Sequence, residues 1–343
     1  MKNVSVSELK GVIKKLYALA EEGKYMGAMI WGPPGVGKSA AVRQVAEDLS
    51  TAKNPVGFID LRLSLLNPVD LRGLPSVNRE ERLAEWLAPE FLPNAKSEKH
   101  GILFLDEINL APQSVMAAGY QLILDRRLGD YHMPPGWLIV AAGNRVTDTP
   151  TTTKMPAPLA NRFIHLQIEQ PNFDEWRQWA VKNQIAEQVV SFLSKMPQHL
   201  FQAPKIDDKA WPSPRSWEFA SNLYHLGEPI DAAVGGGIAA EFNTFLRVYT
   251  KIPDIDAILA GKKVSIPKAT ELDVLWATCM SIVYKATPKD WANVYAFIDQ
   301  IPKEFEVLVI KLLDEKNAAW KSALVNSSQF KKFCNENPEL FGE

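Results

Sequence analysis

Eight consecutive residues carry the glycines, the lysine and the hydroxyl that phosphate binding requires. They fit the pattern G-x-x-x-x-G-K-[ST] and read Gly32-Pro33-Pro34-Gly35-Val36-Gly37-Lys38-Ser39. In such a loop the backbone N–H groups surround the phosphates, the lysine reaches the β- and γ-phosphates, and the hydroxyl binds Mg²⁺. We therefore expect ATP and Mg²⁺ to bind at residues 32–39 and Ala40. No residue that would read the base is identifiable, so GTP stays open.

The flanking residues indicate the elements that position this loop. Ala28, Met29, Ile30 and Trp31 form a short apolar run before it, as a buried strand would. After it, apolar residues recur at helical spacing, at Val42, Val45, Ala46 and Leu49. The order strand, loop, helix places a helix N-terminus against the phosphates. The alternative is a chance glycine-rich turn, which this flanking pattern disfavours.

Two adjacent acids follow a second apolar run. Ile102–Leu105 is continuous enough for a strand buried on both faces, and it ends in Asp106 and Glu107. Acids at that end of a parallel strand lie where α/β sheets bind ligands. We expect Asp106 to hold Mg²⁺ and Glu107 to orient the attacking water. The alternative, an acidic cap on the next helix, is weak because Pro112 indicates a helix that begins near Ala111.

The bulk composition bounds the function classes. The chain has 343 residues, 46% hydrophobic and 23% charged, with a net charge of −2. These values are typical of a globular protein of two or three domains, and they demand neither nucleic acid nor an anionic membrane. The two cysteines, Cys279 and Cys334, show no zinc-site spacing. We expect no signal peptide and no spanning helix, and a cytoplasmic location.

The alternation of elements predicts the fold class: α/β, a phosphate-loop NTPase core with a parallel doubly wound sheet, then an α-helical lid and a helical C-terminal extension. Residues 1–26 are predicted to form a helix on the core, capped at Ser7. Two segments within the core, 73–87 and 126–137, are predicted to be hairpins, the second being a hairpin or an ordered loop. The predicted strands of the core are 28–31, 56–63, 101–106, 137–142 and 163–168.

The domain boundaries follow from the change in texture at Pro171. We expect a nucleotide-binding domain over 27–170, a lid over 171–250, a linker over 251–267 and the extension over 268–343. The predicted lid helices are 173–183, 185–196, 214–226 and 231–250, the last of them bent at Gly235–Gly237.

Five motifs in this order resemble those of the MoxR-type AAA+ ATPases, in the dynein-related group with an insert in the second helix. They are the phosphate loop, Leu103–Glu107, Ala141–Asn144, Pro158–Phe163 and Ser213–Ser216. The resemblance covers about residues 27–250 and not the last part of the chain, whose role stays open.

The resemblance implies roles for three further residues. Asn144 matches sensor 1, which contacts the water or the γ-phosphate. Arg162 matches the arginine finger supplied by a neighbouring subunit, although Asn161 stands where the family often has an acid. Arg215 matches sensor 2, acting on its own or on a neighbour's nucleotide. The alternatives are a turn residue for Asn144, a surface ion pair for Arg162, and a residue that merely follows a proline at a helix start for Arg215.

The resemblance also implies a ring, which in such families usually has six subunits. It further implies a protein client, typically one with a von Willebrand factor A domain, that is remodelled or activated. An alternative is a nucleic-acid motor or an NTPase subunit of a restriction-like defence complex, although nucleic acid is not indicated. The basic residues that would serve this alternative are Arg79, Arg82, Arg126, Arg127 and His132. A third reading, a nucleotide-gated scaffold without turnover, conflicts with the intact Asp106, Glu107, Asn144 and Arg162.

Overall fold

A computed structural model describes residues 1–80, 83–145, 155–168, 170–205 and 207–337. The chain divides into two compact units, Met1–Glu175 and Trp176–Glu343. Arg82, which the nucleic-acid alternative invoked, lies outside the described residues, as does the end of the predicted extension.

A six-stranded parallel sheet forms the centre of the first unit, in the order β1-β10-β2-β9-β6-β3. Five strands match the predicted positions to within one or two residues: β2 (Gly27–Trp31), β3 (Gly57–Arg62), β6 (Gly101–Asp106), β9 (Trp137–Gly143) and β10 (Phe163–Gln167). The sixth, β1 (Lys2–Asn3), was not predicted, because two exposed residues carry no periodic signal. The predicted α/β fold class is confirmed.

The inner strands are apolar on both faces because helices cover the sheet on both sides. All residues of β6 and β9 are buried. The helices of this unit are α1 (Val6–Glu21), α2 (Lys38–Leu49), α3 (Pro68–Arg72), α4 (Gln113–Asp125) and α5 (Ala157–Ala160). The predicted cap of α1 is wrong by two residues: Ser5, not Ser7, accepts the N–H of Glu8, whose carboxylate accepts the N–H of Ser5 in return.

Both predicted hairpins are confirmed. β4 (Leu74–Asn78) pairs antiparallel with β5 (Leu83–Leu87), and β7 (Arg127–Leu128) pairs antiparallel with β8 (Tyr131–His132). The first hairpin begins at Gly73, whose φ is +81° and where a Cβ would meet the Leu87 carbonyl oxygen at 1.9 Å. Only glycine fits there, so the hairpin's base is fixed by the backbone.

The second unit is helical. Helix α6 (Phe173–Lys182) crosses the boundary between the units. The other predicted lid helices are present, with the expected break at Gly235 (φ +87°): α7 (Glu187–Lys195), α8 (Pro214–His225), α9 (Asp231–Val234) and α10 (Gly236–Tyr249). The C-terminal helices are α11 (Ile255–Leu259), α12 (Leu272–Lys285), α13 (Trp291–Ile298), α14 (Lys303–Lys316), α15 (Ala318–Val325) and α16 (Ser328–Glu336).

The segment 251–267, predicted to be a linker, differs from that prediction. It contains α11, and Ile255 and Ile258 are buried in a core shared with α12 to α16. The helix is short and lies among prolines and lysines, which are typical of a linker, so the sequence pattern did not indicate it. The predicted lid and extension thus belong to one compact unit. None of the helices in the described ranges has the length and apolar run that crossing a membrane requires.

Candidate functional site

The phosphate loop joins β2 to α2 at the carboxyl edge of the sheet. Gly35 and Gly37 take the left-handed region, with φ of +83° and +95°. A Cβ at Gly32 would lie 2.7 Å from the carbonyl oxygen of Ile168. The glycines are therefore needed for the loop's path and for its packing, and that path leads directly into the N-terminus of α2, where an anion is favoured.

Lys38 is buried at the first position of α2. Its ammonium group donates to the carbonyl oxygens of Gly32 (2.6 Å) and Pro33 (2.9 Å) and to Oδ1 of Asn144 (3.0 Å). These hydrogen bonds satisfy the ammonium group, as burial of its charge requires. This places the predicted phosphate-binding lysine and the predicted sensor residue in direct contact.

Ser39 and Asp106 are adjacent across the end of the sheet. The Ser39 hydroxyl donates to Oδ2 of Asp106 at 2.8 Å, and Asp106 is buried at the end of β6. A hydroxyl and a carboxylate side by side are hard oxygen ligands of the kind that Mg²⁺ uses together with phosphate oxygens. The two residues fit the predicted Mg²⁺, whose coordination the nucleotide would complete.

The charge around Asp106 also favours a cation. Burial raises the pKa of Asp60, and the nearby charge of Asp106 raises it further, whereas Arg62 and Arg43 lower it. Asp60 accepts a hydrogen bond from Arg43 at 3.3 Å. A second carboxylate close to Asp106 strengthens the negative field, and a divalent cation bound at Asp106 would relieve that repulsion.

Glu107 occupies a left-handed turn between β6 and the next short helix, with φ of +53° and ψ of +34°. Its N–H donates to Oδ1 of Asp106 at 2.9 Å, and its carboxylate accepts the hydroxyl of Ser64 at 2.7 Å. Left-handed backbone in a glutamate costs roughly 1 kcal/mol, so these contacts must offset it. The turn directs the two carboxylates to different partners, Asp106 to Ser39 and Glu107 to Ser64.

Asn144 follows β9 and is held by a residue that the sequence reasoning missed. Asn109, almost fully buried, donates from Nδ2 to the Asn144 carbonyl oxygen at 2.6 Å, and its Oδ1 accepts the Asn144 N–H at 3.2 Å. A Cβ on Gly143 would lie 2.5 Å from that Oδ1, so a larger residue there would displace the Asn109 side chain. The sequence signal for this residue was an asparagine between two apolar residues, Ile108 and Leu110, two positions after Glu107.

Arg162 lies at the opposite end of the parallel strands, where they begin, which is the amino edge of the sheet. It directly precedes β10, and Phe163 pairs with Gly27 at the start of β2. The phosphate loop starts five residues after Gly27, so the exposed Arg162 is separated from it by about 17–20 Å at 3.3 Å per strand residue. The structure thus brings Lys38, Ser39, Asp106 and Asn144 together and leaves Arg162 apart.

Arg215 belongs to the second unit. It is exposed in the first turn of α8, after Pro214 and the capping Ser213, whose hydroxyl accepts the Ser216 N–H at 3.1 Å. Its helix therefore starts as the sequence predicts.

A comparison with protein families finds a match over the segment that contains this site. The model of the AAA domain (dynein-related subfamily) matches residues 27–163, from the first residue of β2 to the first residue of β10. Residues 27–163 are an AAA domain of the dynein-related subfamily. This domain contains the phosphate loop, Asp106, Glu107 and Asn144 described above.

The similarity of the chain to the whole proteins compared with it is distant. No curated protein matches the chain. NtrX from Brucella abortus matches with 18% identity over 66% of this chain and 51% of that chain, about half its length, with a TM-score of 0.38. NtrX in complex with ADP matches with 15% identity, 97% and 68% coverage and a TM-score of 0.39. The RuvB Holliday junction branch migration motor of Thermotoga maritima matches with 18% identity, 71% and 69% coverage and a TM-score of 0.38.

Proposed function

We propose that the chain is a MoxR-like, ring-forming ATPase that hydrolyses Mg-ATP between neighbouring subunits and uses the energy to remodel or activate a protein client. The observation that carries the shared site is the placement of Arg162 at the edge of the sheet opposite the phosphate loop. An arginine there is too far from its own nucleotide but is free to meet that of a second copy. Repetition of such a head-to-tail contact closes a ring, which by resemblance has six subunits.

The residues of one subunit then have separate tasks. Lys38 and the loop N–H groups bind the phosphates, while Ser39 and Asp106 hold Mg²⁺, which when bound would neutralise charge on the β- and γ-phosphates. Glu107 orients and polarises the attacking water, and Asn144 fixes the position of that water or of the γ-phosphate through its amide. Arg162 of the neighbour stabilises the charge on the transferring phosphoryl group. By the resemblance, Arg215 acts on its own or on a neighbour's nucleotide.

The first hairpin is suited to contact a protein. One of its faces is formed by Pro75 and Trp86, paired across the strands, and by Val77 and Ala84, also paired. All four are exposed, Val77 at 74% and Trp86 at 43%. Exposed apolar clusters of this kind mark sites of interaction with proteins. The resemblance to MoxR-type proteins suggests a client with a von Willebrand factor A domain.

The nucleic-acid alternative has less support. Arg126, one of its residues, is engaged: it donates to the carbonyl oxygens of Trp137 (2.8 Å) and Pro134 (3.0 Å) and lies 3.7 Å above the Tyr25 ring. Arg127 faces His132 across the second hairpin, and Asp130 lies in the turn between them. Binding to single-stranded DNA with a log–log salt slope of several would favour the motor and contradict the protein-client proposal.

Turnover as a function of protein concentration tests the shared site. If the finger comes from a neighbour, ATPase activity per subunit rises with protein concentration in parallel with the assembly measured by sedimentation. Equal specific activity in monomers and assemblies would contradict the proposal.

A hydrolysis-blocked trap tests the client. Glu107→Gln protein in Mg-ATP should retain a protein partner that Lys38→Ala protein does not. Adding Val77→Ser and Trp86→Ser to the trap should release it, whereas Leu226→Ser, at an exposed leucine of the helical unit, should not. Retention of nuclease-sensitive nucleic acid alone would contradict the client proposal.

A further inference from the structure

A chain of two hydrogen bonds connects the strand before the phosphate loop to the helix before Arg162. Trp31 donates from Nε1 to Nδ1 of His165 at 2.9 Å, and Nε2 of His165 lies 2.7 Å from the carbonyl oxygen of Ala160. The indole nitrogen is only a donor, so Nδ1 of His165 must be the acceptor. The ring proton is therefore on Nε2, which donates to Ala160. Both partners together define one neutral tautomer.

The geometry of the rings fits this assignment. The planes of Trp31 and His165 differ by 12°, with centroids 6.1 Å apart, so the hydrogen bond lies near both ring planes, where the imidazole lone pair is directed. The side chains share one face of the sheet, because His165 pairs with Met29 and Trp31 lies two residues further along the same strand. The contact is therefore determined by the register of β2 and β10.

The two ends of the chain of hydrogen bonds lie next to the two halves of the proposed site. Trp31 is the last residue of β2, directly before Gly32 of the phosphate loop. Ala160 ends α5 two residues before Arg162. Its carbonyl belongs to the last turn of the helix, whose carbonyl groups lie beyond the regular i to i+4 pattern of helical hydrogen bonds. His165 supplies that partner from the sheet.

Helix α5 needs such a contact. It has four residues, too few for a helix to be stable on its own. Its position depends on tertiary contacts, among which are the fully buried Leu159 and the bond from His165 to Ala160. Arg162 itself is exposed, so the location of its guanidinium follows from how firmly this short helix is held.

We propose that His165 is a positioning residue for Arg162, fixing α5 on the sheet so that the guanidinium meets the neighbouring subunit's nucleotide. Trp31 in turn orients the imidazole. This rests on the proposed function, since it assumes that Arg162 acts in a neighbour's site. His165 lies outside the five motifs and controls turnover without touching the nucleotide.

The primary variant is His165→Phe, which keeps an aromatic ring and removes both hydrogen bonds. We expect the turnover rate to fall about tenfold, the scale of one lost hydrogen bond, with ATP affinity unchanged. His165→Gln retains a donor for Ala160 and should recover part of the rate. Trp31→Phe, which removes only the hydrogen bond between Trp31 and His165, should have a smaller effect. Ile164→Ala, at the exposed neighbour on the opposite face, is the matched control.

Mixed assemblies show on which side of the interface the defect lies. His165→Phe subunits mixed with Glu107→Gln subunits should regain activity, because each intact Glu107 can now meet a well-placed finger from the Glu107→Gln subunit. Mixed with Arg162→Ala subunits, they should not. The reverse pattern would overturn the inference, because the defect would then lie in the subunit's own phosphate loop. No recovery in either mixture would also overturn it, as would a normal rate in His165→Phe.

The control mixture separates this inference from the proposed function. If Arg162→Ala and Glu107→Gln subunits recover no activity together, the shared site itself is wrong. If they recover while His165→Phe with Glu107→Gln does not, only the role of His165 is wrong. Should His165→Phe fail to bind ATP or to melt cooperatively, His165→Gln carries the same mixing test, with a smaller expected loss.

Discussion

The two edges of the central sheet are built differently. At the carboxyl edge, hydrogen bonds join Lys38 to Asn144 and Ser39 to Asp106, and the lysine and the aspartate are buried. At the amino edge, Arg162 is exposed on a turn that follows a four-residue helix. One edge is preorganised within the subunit, and the other exposes the guanidinium-bearing residue Arg162. A site completed by a neighbour requires both properties, and the predictions below separate what each edge does.

Arg162→Ala should have the largest effect. We expect the turnover rate to fall by roughly 10³ or more, the scale of other arginine fingers, with ATP affinity unchanged because the subunit's own loop is intact. Steady-state ATPase assays and nucleotide titrations measure the two quantities. Arg127→Ala, at an exposed arginine of the second hairpin, is the control. A parallel loss of ATP affinity would place Arg162 at its own subunit's nucleotide.

Glu107→Gln should reduce turnover by roughly 10²–10⁴, the range for removal of a general base, while ATP stays bound. Single-turnover assays with radiolabelled ATP would show a stable ATP complex. Asp60→Asn, at another carboxylate near Asp106, should change the rate far less. A Glu107→Gln enzyme within a few-fold of the normal rate would mean that another group orients the water.

Lys38→Ala should act on binding. The charge-assisted hydrogen bonding of the ammonium group to the phosphates would be lost, so ATP affinity should fall about a hundredfold or more. Lys24→Ala, at an exposed lysine paired with Glu22, should leave affinity unchanged. Isothermal titration with a non-hydrolysable ATP analogue compares them, and equal affinities would show that residues 32–39 are not the phosphate site.

Asn109→Leu should slow turnover about tenfold. The substitution keeps the size of the side chain but removes both bonds to the Asn144 backbone, and one such bond contributes about 1 kcal/mol. In the Asn144→Ala background, Asn109→Leu should add little, because the amide side chain that Asn109 positions has already been removed. Full additivity in the double variant would contradict this role.

The smallest effect on turnover is expected at the first hairpin. Val77→Ser with Trp86→Ser should leave basal ATPase activity within about twofold, since surface substitutions away from the site change little. The same variant should lose any stimulation of the ATPase by a client. A large loss of basal activity would instead place the hairpin in the catalytic assembly.

Local patterns predicted much of the first unit. The strands at 28–31 and 101–106 were recognisable because buried parallel strands are continuous apolar runs, and the loop because its glycines and lysine have fixed spacing. The helix Ile255–Leu259 was missed because a short helix among prolines and lysines resembles a linker. Strand β1 was missed because its pairing with β10 is not encoded in its own two residues.

Contacts between distant residues could not be predicted. The bonds of Ser64 with Glu107, of Asn109 with Asn144 and of Trp31 with His165 each join residues 35 or more positions apart. They depend on strand order and register, which local periodicity does not specify. Serine, asparagine and histidine at these positions have many possible partners, so the motif residues could be found from the sequence and their supports could not.

The most direct test of the shared site is the ATPase activity of assemblies reconstituted from equal amounts of Arg162→Ala and Glu107→Gln subunits. We expect each variant to be nearly inactive alone. If the finger acts in a neighbour's site, an intact Glu107 site next to a Glu107→Gln subunit becomes complete, which random mixing gives at about one interface in four. We predict recovery to about a quarter of the normal rate. No recovery in assemblies shown to contain both subunits would contradict the central claim.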